Sequence, residues 1–310
     1  DLAADWPIRA RLLRLAAHDH VLTITMHHIA SDGWSMGVLS REIDALYGAF
    51  SQNQTPTLAP LAVQYADFAR WQRDWLTGAD LERQTDWWKA HLDGAPPLLE
   101  LPYDHPRPPR PTYRAGMVTT TINTTLTARL NALAKTSDAS LFMVLRAAFA
   151  VLMQRWSRSN DLVIGSPVAN RVVPEIEGLI GFFVNTLAIR SDLTGDPTFI
   201  DLLAQTRRAS LDAYAHQDVP FEKVVEALNP ERHLEYEPVT QIAFALQNAD
   251  FKKFRLGSMG VTPFAGGSPT VRNDLEVHVW ERDGELVCQL VYSLDLFEAI
   301  SIDAMGAGFV

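Results

Sequence analysis

The stretch His27-His28-Ile29-Ala30-Ser31-Asp32-Gly33-Trp34-Ser35 gathers two imidazoles, a carboxylate, a glycine and a hydroxyl into one short run. Val21 to Ile29 alternates and is rich in β-branched residues, which predicts a strand. Successive strand side chains point to opposite faces. Val21, Thr23, Thr25 and His27 then share one face, and Leu22, Ile24, Met26 and His28 share the other. His28 falls with the apolar set, so it is expected to be buried. Adjacent histidines aimed apart can hardly chelate one ion, which counts against zinc despite the His/His/Asp content. Asp32-Gly33 turns the chain into a helix. Gly33 permits close backbone approach, and its N–H lies near a helix N-terminus, where negative charge is favoured. An imidazole that accepts or steers a proton beside an amide that supports an oxyanion would suit acyl transfer. The same residues also fit a core histidine beside an N-cap aspartate, and spacing alone does not separate the two readings.

Other catalytic templates are missing: no G-x-S-x-G elbow, no Walker loop, no G-x-G-x-x-G after a strand. Cys288 stands alone inside a strand pattern and reads as a small core residue. With one cysteine there is no internal disulfide framework and no cysteine-based metal cluster, which fits a reducing compartment.

Several elements must position this run. Ile8 to Ala17 reads as a strand, turning at His18-Asp19-His20. Ser35 is expected to cap a helix from Met36 to Phe50, with Leu39, Ile43, Leu46, Tyr47 and Phe50 on one apolar face. The polar stretch Ser51 to Pro60 suggests a boundary, dividing the chain into 1–56 and 57–310. Leu61 to Leu76 and Leu81 to Leu92 read as amphipathic helices split by Thr77-Gly78. Five of the eight tryptophans lie between Trp34 and Trp88 and are expected to pack these helices into the core. Residues 94–114 hold seven of the eighteen prolines and must be largely extended. Beyond them, strands are expected at Met117–Ile122, Asp161–Val168, Phe182–Arg190 and Val239–Leu246, with a hairpin of Leu275–Trp280 and Leu286–Tyr292 about Asp283-Gly284. Helices are expected at Leu126–Lys135, from Ser140 to Trp156, at Phe199–Tyr214, after Pro220 and at the end of the chain. The pattern indicates an α/β architecture of the two-layer α+β kind.

Acidic residues outnumber basic ones 37 to 27 and no Lys/Arg run relieves the net charge of −10, so nucleic-acid and anionic-membrane binding are disfavoured. The richest apolar run, Leu145 to Met153, is interrupted by Arg146 and falls short of the ~18 residues a spanning helix needs. No signal peptide is visible, and a cytoplasmic location is expected. The chain opens on Asp1 rather than Met, so it reads as a piece of something longer.

His27 to Ser35 resembles the HHxxxDGWS signature of nonribosomal peptide synthetase condensation domains, members of the chloramphenicol acetyltransferase-like superfamily. Further stretches resemble the family's later motifs in order: Tyr65 to Arg73, the proline-rich Leu98 to Pro109, Ile180 to Leu187, His216 to Glu222, and Tyr292 to Phe297. Two departures stand out. The motifs upstream of HHxxxDG are absent, so the opening part of a typical domain is expected to be missing. In Val271-Arg272-Asn273-Asp274-Leu275, Asn273 replaces an aromatic residue.

The resemblance implies two acetyltransferase-like lobes in a V, with the first lobe, 1–56, incomplete and 57–310 forming the second. It implies an acyltransferase that joins a donor acyl thioester to the α-amine of an acceptor aminoacyl thioester. His28 would be the central catalytic residue, with Gly33 beside it and Asp32 in a structural ion pair with Arg171. His27, Trp34, Ser35, Asn185 and Asn248 would be motif and tunnel residues. No metal and no bound cofactor are expected. The substrates would ride on the phosphopantetheine of upstream and downstream peptidyl carrier domains, next to an adenylation domain. The alternatives are a stand-alone HxxxDG acyltransferase on small molecules and a non-catalytic carrier-docking relic. Aspartates would replace His27 and His28 in a heterocyclisation domain, and Trp34-Ser35-Met36 is the condensation rather than the epimerisation form. Expressed alone, the piece is expected to be poorly ordered at its N-terminal end and inactive.

Overall fold

A computed structural model describes residues 2–231, 233–247, 256–262 and 269–310. The chain divides into two compact units, one of Asp1–Trp75, Ala169–Val184 and Ala249–Ala265, the other of Leu76–Val168, Asn185–Asn248 and Gly266–Val310. The division is therefore not the one expected at 56/57. Residues beyond 57 stay with the first unit because Phe68 and Tyr65 pack with Ile176, Leu179 and Phe183 in a small core of that unit.

In the first unit, β1 (Ile8–Ala16) and β2 (Asp19–Met26) form a two-stranded antiparallel sheet with Ile8 opposite Met26. It is largely open to solvent: Leu12 is 68% exposed and Leu22, on the face assigned to the core, 39%. The strand stops at Met26 rather than Ile29. The reason is local: His27 Nδ1 accepts the Ile29 N–H at 3.0 Å, which closes a 3-10 turn over His28–Ala30. Next, α1 (Gly33–Ser51) starts earlier than expected. Its cap is Asp32, whose Oδ1 accepts the Ser35 N–H at 2.8 Å, and not Ser35. Only Ser35 and Val38 are fully buried on it, and Phe50 is exposed. On α2 (Tyr65–Trp75), Trp71 and Trp75 stack on each other 5.3 Å apart and stay exposed, contrary to the core packing expected of them.

The second unit runs α3 (Gly78–Leu92), β3 (Ala115–Ile122), α4 (Thr124–Thr136), α5 (Leu141–Ser157), β4 (Asp161–Val168), β5 (Asn185–Asp192), α6 (Phe199–Ala215), α7 (Phe221–Leu228), β6 (Ile242–Leu246), β7 (Leu275–Arg282), β8 (Glu285–Ser293) and α8 (Ala299–Phe309). Its six strands lie in the order β3-β8-β7-β6-β4-β5; β6 runs parallel to both β4 and β7 and the other pairs are antiparallel. Asp283 and Gly284 both adopt positive φ, 52° and 82°, which a two-residue hairpin between β7 and β8 requires. The core gathers Phe149, Met153, Ile164, Phe244, Val277, Leu290 and Ile302 between sheet and helices. Ser140 caps α5, its Oγ accepting the Met143 N–H.

Residues 94–114 form neither helix nor strand apart from one bridge at Arg114, yet Leu99 and Leu101 are buried. The Leu99 N–H donates to Gln241 Oε1 at 2.9 Å, and Arg107 and Tyr103 bind Asp274, so this segment is tied to the second unit. Among the described residues no single helix is long and apolar enough to cross a membrane.

Candidate functional site

Asp32 sits where the 3-10 turn meets α1, and its side chain is only 2% exposed. Oδ1 accepts the Ser35 N–H and lies 2.7 Å from Ser35 Oγ; Oδ2 accepts the Phe183 N–H at 3.0 Å. Arg171 Nη2 stands 3.1 Å from Oδ1 and 3.4 Å from Oδ2. Burial alone would raise the Asp32 pKa. The Ser35 hydroxyl, the Ser35 and Phe183 amides and the Arg171 charge outweigh it and hold the carboxyl below the usual aspartate range.

Arg171 has further anchors. Its Nη1 donates to the Ile176 and Leu179 carbonyls at 2.6 and 2.9 Å, and the guanidinium lies 4.0 Å from the centre of the Phe183 ring. Ser35, fully buried, completes the cluster: its Oγ accepts from the Gly181 N–H at 3.1 Å and from Arg171 Nη2 at 3.0 Å, and its one proton goes to Asp32 or to the Gly181 carbonyl. The Trp34 indole N–H donates to the Glu177 carbonyl at 2.9 Å. Asp32, Trp34, Ser35 and Arg171 thus lock residues 31–35 onto 171–183 within the first unit.

His28 stands at the edge of this lock. It is exposed, not buried, and its ring meets Phe182 edge-on at 5.2 Å. The alternation that separated the two histidines fails, because β2 ends before them. A different division of labour replaces it. His27 is committed to capping the 3-10 turn, whereas the His28 ring makes no hydrogen bond or ion pair among the described residues and meets only the Phe182 ring as an aromatic neighbour. Gly33 is the first residue of α1 and exposed, so its amide belongs to the electropositive end of that helix.

Asn185 belongs to the second unit. Its Nδ2 donates to the Gln217 and Val219 carbonyls at 2.8 Å each, and its Oδ1 accepts the Thr186 and Phe221 N–H groups at 2.9 Å. All its ordinary bonding capacity goes into holding the turn ahead of α7. Asn248 lies outside the described residues. Among the described residues no His/Cys/Asp/Glu group of three could hold a metal ion. Cys288 is fully buried, and burial pushes its thiol up to about 12, too high for a reactive thiolate.

Sequence reasoning missed two features here: the Phe183 amide on Asp32 and the Ser35–Gly181 exchange. The signal that could have found them was the glycine at 181. A Cβ there would collide with the Tyr65 ring, so only glycine lets this bend approach so closely.

A family model described as Condensation domain matches residues 1–309. The chain is 45% identical over 304 residues to a linear gramicidin synthase of Brevibacillus parabrevis, covering 97% of this chain and 4% of that protein. It is 39% identical over 315 residues to phosphinothricin tripeptide synthetase PhsB of Streptomyces viridochromogenes, covering all of this chain and 26% of that protein. It therefore spans a small part of these curated relatives. Among solved structures it matches the X-domain from teicoplanin biosynthesis with a TM-score of 0.91 at 32% identity, over 99% of this chain and 71% of that one. It matches AB3403, a four-domain nonribosomal peptide synthetase bound to AMP and glycine, with a TM-score of 0.84 at 27% identity, over 98% of this chain and 24% of that one. The mixed sheet with its flanking helices is the chloramphenicol acetyltransferase-like fold of these structures, and with the family match running the length of the sequence, the chain belongs to the condensation domains of nonribosomal peptide synthetases.

Proposed function

We propose that this domain forms an amide bond between a donor acyl or peptidyl thioester and the α-amine of an acceptor aminoacyl thioester, with His28 at the reacting amine. The amine nitrogen attacks the thioester carbonyl carbon. The C–S bond breaks, the donor thiolate takes up a proton, and the acyl chain passes to the acceptor. A free α-amino group has a pKa of about 7.7–8.0, so much of it is already nucleophilic near neutrality. His28 therefore positions the amine and takes its proton as the tetrahedral intermediate forms. The Gly33 amide, at the start of α1, supports the oxyanion. Asp32 does not touch substrate in this reading; it holds the turn that carries His28. The thioesters arrive on phosphopantetheine arms of peptidyl carrier domains flanking this one in a larger synthetase, beside an adenylation domain, and the domain itself binds no cofactor.

The observation that carries this reading is the Asp32–Ser35–Arg171 lock, which leaves the imidazole beside it exposed and uncommitted. The test places His28→Ala in the complete synthetase module with loaded donor and acceptor carriers. Intact-protein mass spectrometry should find no extended acceptor, whereas His27→Ala acts through folding. Near wild-type turnover by a folded His28→Ala variant overturns the assignment.

A second reading is favoured by one similarity: a teicoplanin X-domain, 33% identical to this chain, has been solved as a complex with OxyB. In that reading the domain docks a partner protein instead of forming bonds. Carrier binding without any extended product in the wild-type module would select it.

A further inference from the structure

Arg146 interrupts the apolar stretch Leu141–Met153 of α5 and is fully buried in the second unit. Its Nη1 donates to Ser191 Oγ at 3.1 Å and its Nη2 to the Ile189 carbonyl at 2.6 Å, while Nε has no partner. No carboxylate pairs with it among the described residues. The group acting on its charge is the Tyr214 phenol, which burial keeps protonated. Burial pulls the guanidinium down to about 10, so it still carries its charge near neutrality. A buried cation without a counter-ion is costly, and an orphaned N–H adds to the cost.

One residue away lies a cavity of about 200 Å³, walled in part by His91, Arg190, Ser191, Gln205 and Thr206. Its polar lining is rich in donors. Ser191 Oγ accepts from Arg146, which leaves its own proton to give. Thr206 also lines the wall, but its own Oγ1 is wholly enclosed and lacks a partner. His91 Nε2 accepts the Arg190 N–H at 3.2 Å, so the neutral ring carries its proton on Nδ1. That ring stays neutral because burial, with the Arg146 and Arg190 charges, pulls its pKa down to about 4. Arg190 itself is satisfied by Asp161 and the Asp93 carbonyl. Asp192 also lines the cavity, but it is exposed at the rim and its Oδ1 accepts the Thr194 N–H at 2.8 Å. Such a space holds several heavy atoms rather than a single water, and donors in its wall beside an uncompensated cation select a negative guest.

We propose that this cavity is a binding site for a small oxyanion of acetate or phosphate size, held by the Ser191 hydroxyl and the His91 ring N–H, with Arg146 as its buried counter-charge. The site lies apart from the His28 turn in sequence and chemistry, and its test does not depend on amide formation. Titrate the full chain with sodium acetate, and separately with sodium phosphate, against sodium chloride at matched ionic strength, by calorimetry and thermal melting. Saturable one-to-one binding by acetate, phosphate or both is expected, and the tighter of the two identifies a carboxylate or a phosphate as the natural class. Arg146→Met should abolish the saturable phase. Ser191→Ala, which keeps the guanidinium, should weaken it about tenfold or more, as the loss of one hydrogen bond to a charged group does. Equal effects of all three salts, or no saturable phase, overturn the proposal. So does an unchanged affinity in either variant; if Arg146→Met fails to fold, Ser191→Ala alone decides.

Discussion

Asp32–Arg171 in the first unit and Asp274–Arg107 in the second are both shielded arginine–carboxylate pairs, with side chains 2%/2% and 7%/12% exposed. Their carboxylates are used differently. Asp274 is gripped by side chains: Arg107 forks onto both oxygens and the Tyr103 hydroxyl adds a third bond at 2.9 Å. All of these come from the proline-rich segment, so the pair pins a rigid strap to the start of β7. Asp32 adds two backbone amides, at Ser35 and Phe183, to its bonds with Arg171 and the Ser35 hydroxyl, and so fixes the path of the main chain on either side. Side-chain anchors determine where a segment docks. Backbone anchors determine the angle at which a turn is presented, and the turn here presents His28.

The sharpest way to break this comparison is to neutralise each carboxylate. Asp274→Asn and Asp32→Asn should each cost about 3–5 kcal/mol, because a buried guanidinium is left without its partner. Denaturant unfolding measures both. Double-mutant cycles with Arg107→Leu and Arg171→Gln should show strong coupling, and additive effects in either cycle would dissolve that pair. The variants should part company in turnover per folded molecule. Asp274→Asn should stay near wild type, whereas Asp32→Asn should lose about a hundredfold through misplacement of His28. Equal turnover in the two would show that the backbone lock has no bearing on the chemistry.

Acid distinguishes the two units by a different route. Unfolded histidine takes up a proton near 6.5, but folded His91 resists until about 4. Between those values the unfolded chain binds more protons, so stability should fall as pH drops from 6.5 toward 4, by at most about 3 kcal/mol. Asp32 has the opposite kind of group and a lower window. Its folded pKa lies below 3.8, so its stabilisation is complete above 3.8 and disappears only as pH falls through that lower folded value. The slope between pH 6.5 and 4 should flatten in His91→Gln and persist in Asp32→Asn; a persistent slope in His91→Gln would remove His91 as its source.

Ser35→Ala tests the hub of the first lock alone. It leaves the Gly181 N–H without its buried acceptor and removes one of Arg171's bonds, which should cost about 1–3 kcal/mol. Thermal melting checks it, and a neutral result would mean that water replaces the hydroxyl.

Much of the second unit was legible in the sequence because its elements are regular and buried on a periodic face. Asp161–Val168 came out residue for residue, and Ser140 and Asp283-Gly284 announced a cap and a hairpin by their own local chemistry. The first unit was harder. Val21 to Ile29 alternates like one strand, but a single bond from the Ile29 N–H to His27 Nδ1 ends it early, and no periodicity encodes that bond. The residues of the candidate site were legible by type, His28, Asp32 and Ser35 among them, and Arg171 through the resemblance. Their arrangement was not, because it depends on amides of residues 181 and 183, far away in the chain. The Asp274 pair went unseen for a similar reason: Arg107 reads as one more charge in a proline-rich stretch until the strap is laid against the sheet.

Burial should grade ion pairs beyond these two, and Asp161–Arg190 supplies the shallow end of the scale. Its geometry is as good as that of the deep pairs, with Nε and Nη2 at 2.7 and 2.6 Å from the two carboxylate oxygens. Its side chains, however, are 27% and 25% exposed. Water screens the charges and is at hand to solvate whichever partner is left alone, so neither the attraction nor the loss on breaking it is large. A cycle of Asp161→Asn with Arg190→Gln should therefore give coupling of about 1 kcal/mol or less, shrinking further in high salt. The cycle at Asp32–Arg171 should hardly respond to salt, since ions cannot reach it. Coupling at Asp161–Arg190 as strong and as salt-insensitive as in the deep pairs would show that fork geometry, and not burial, sets the strength of ion pairs in this domain.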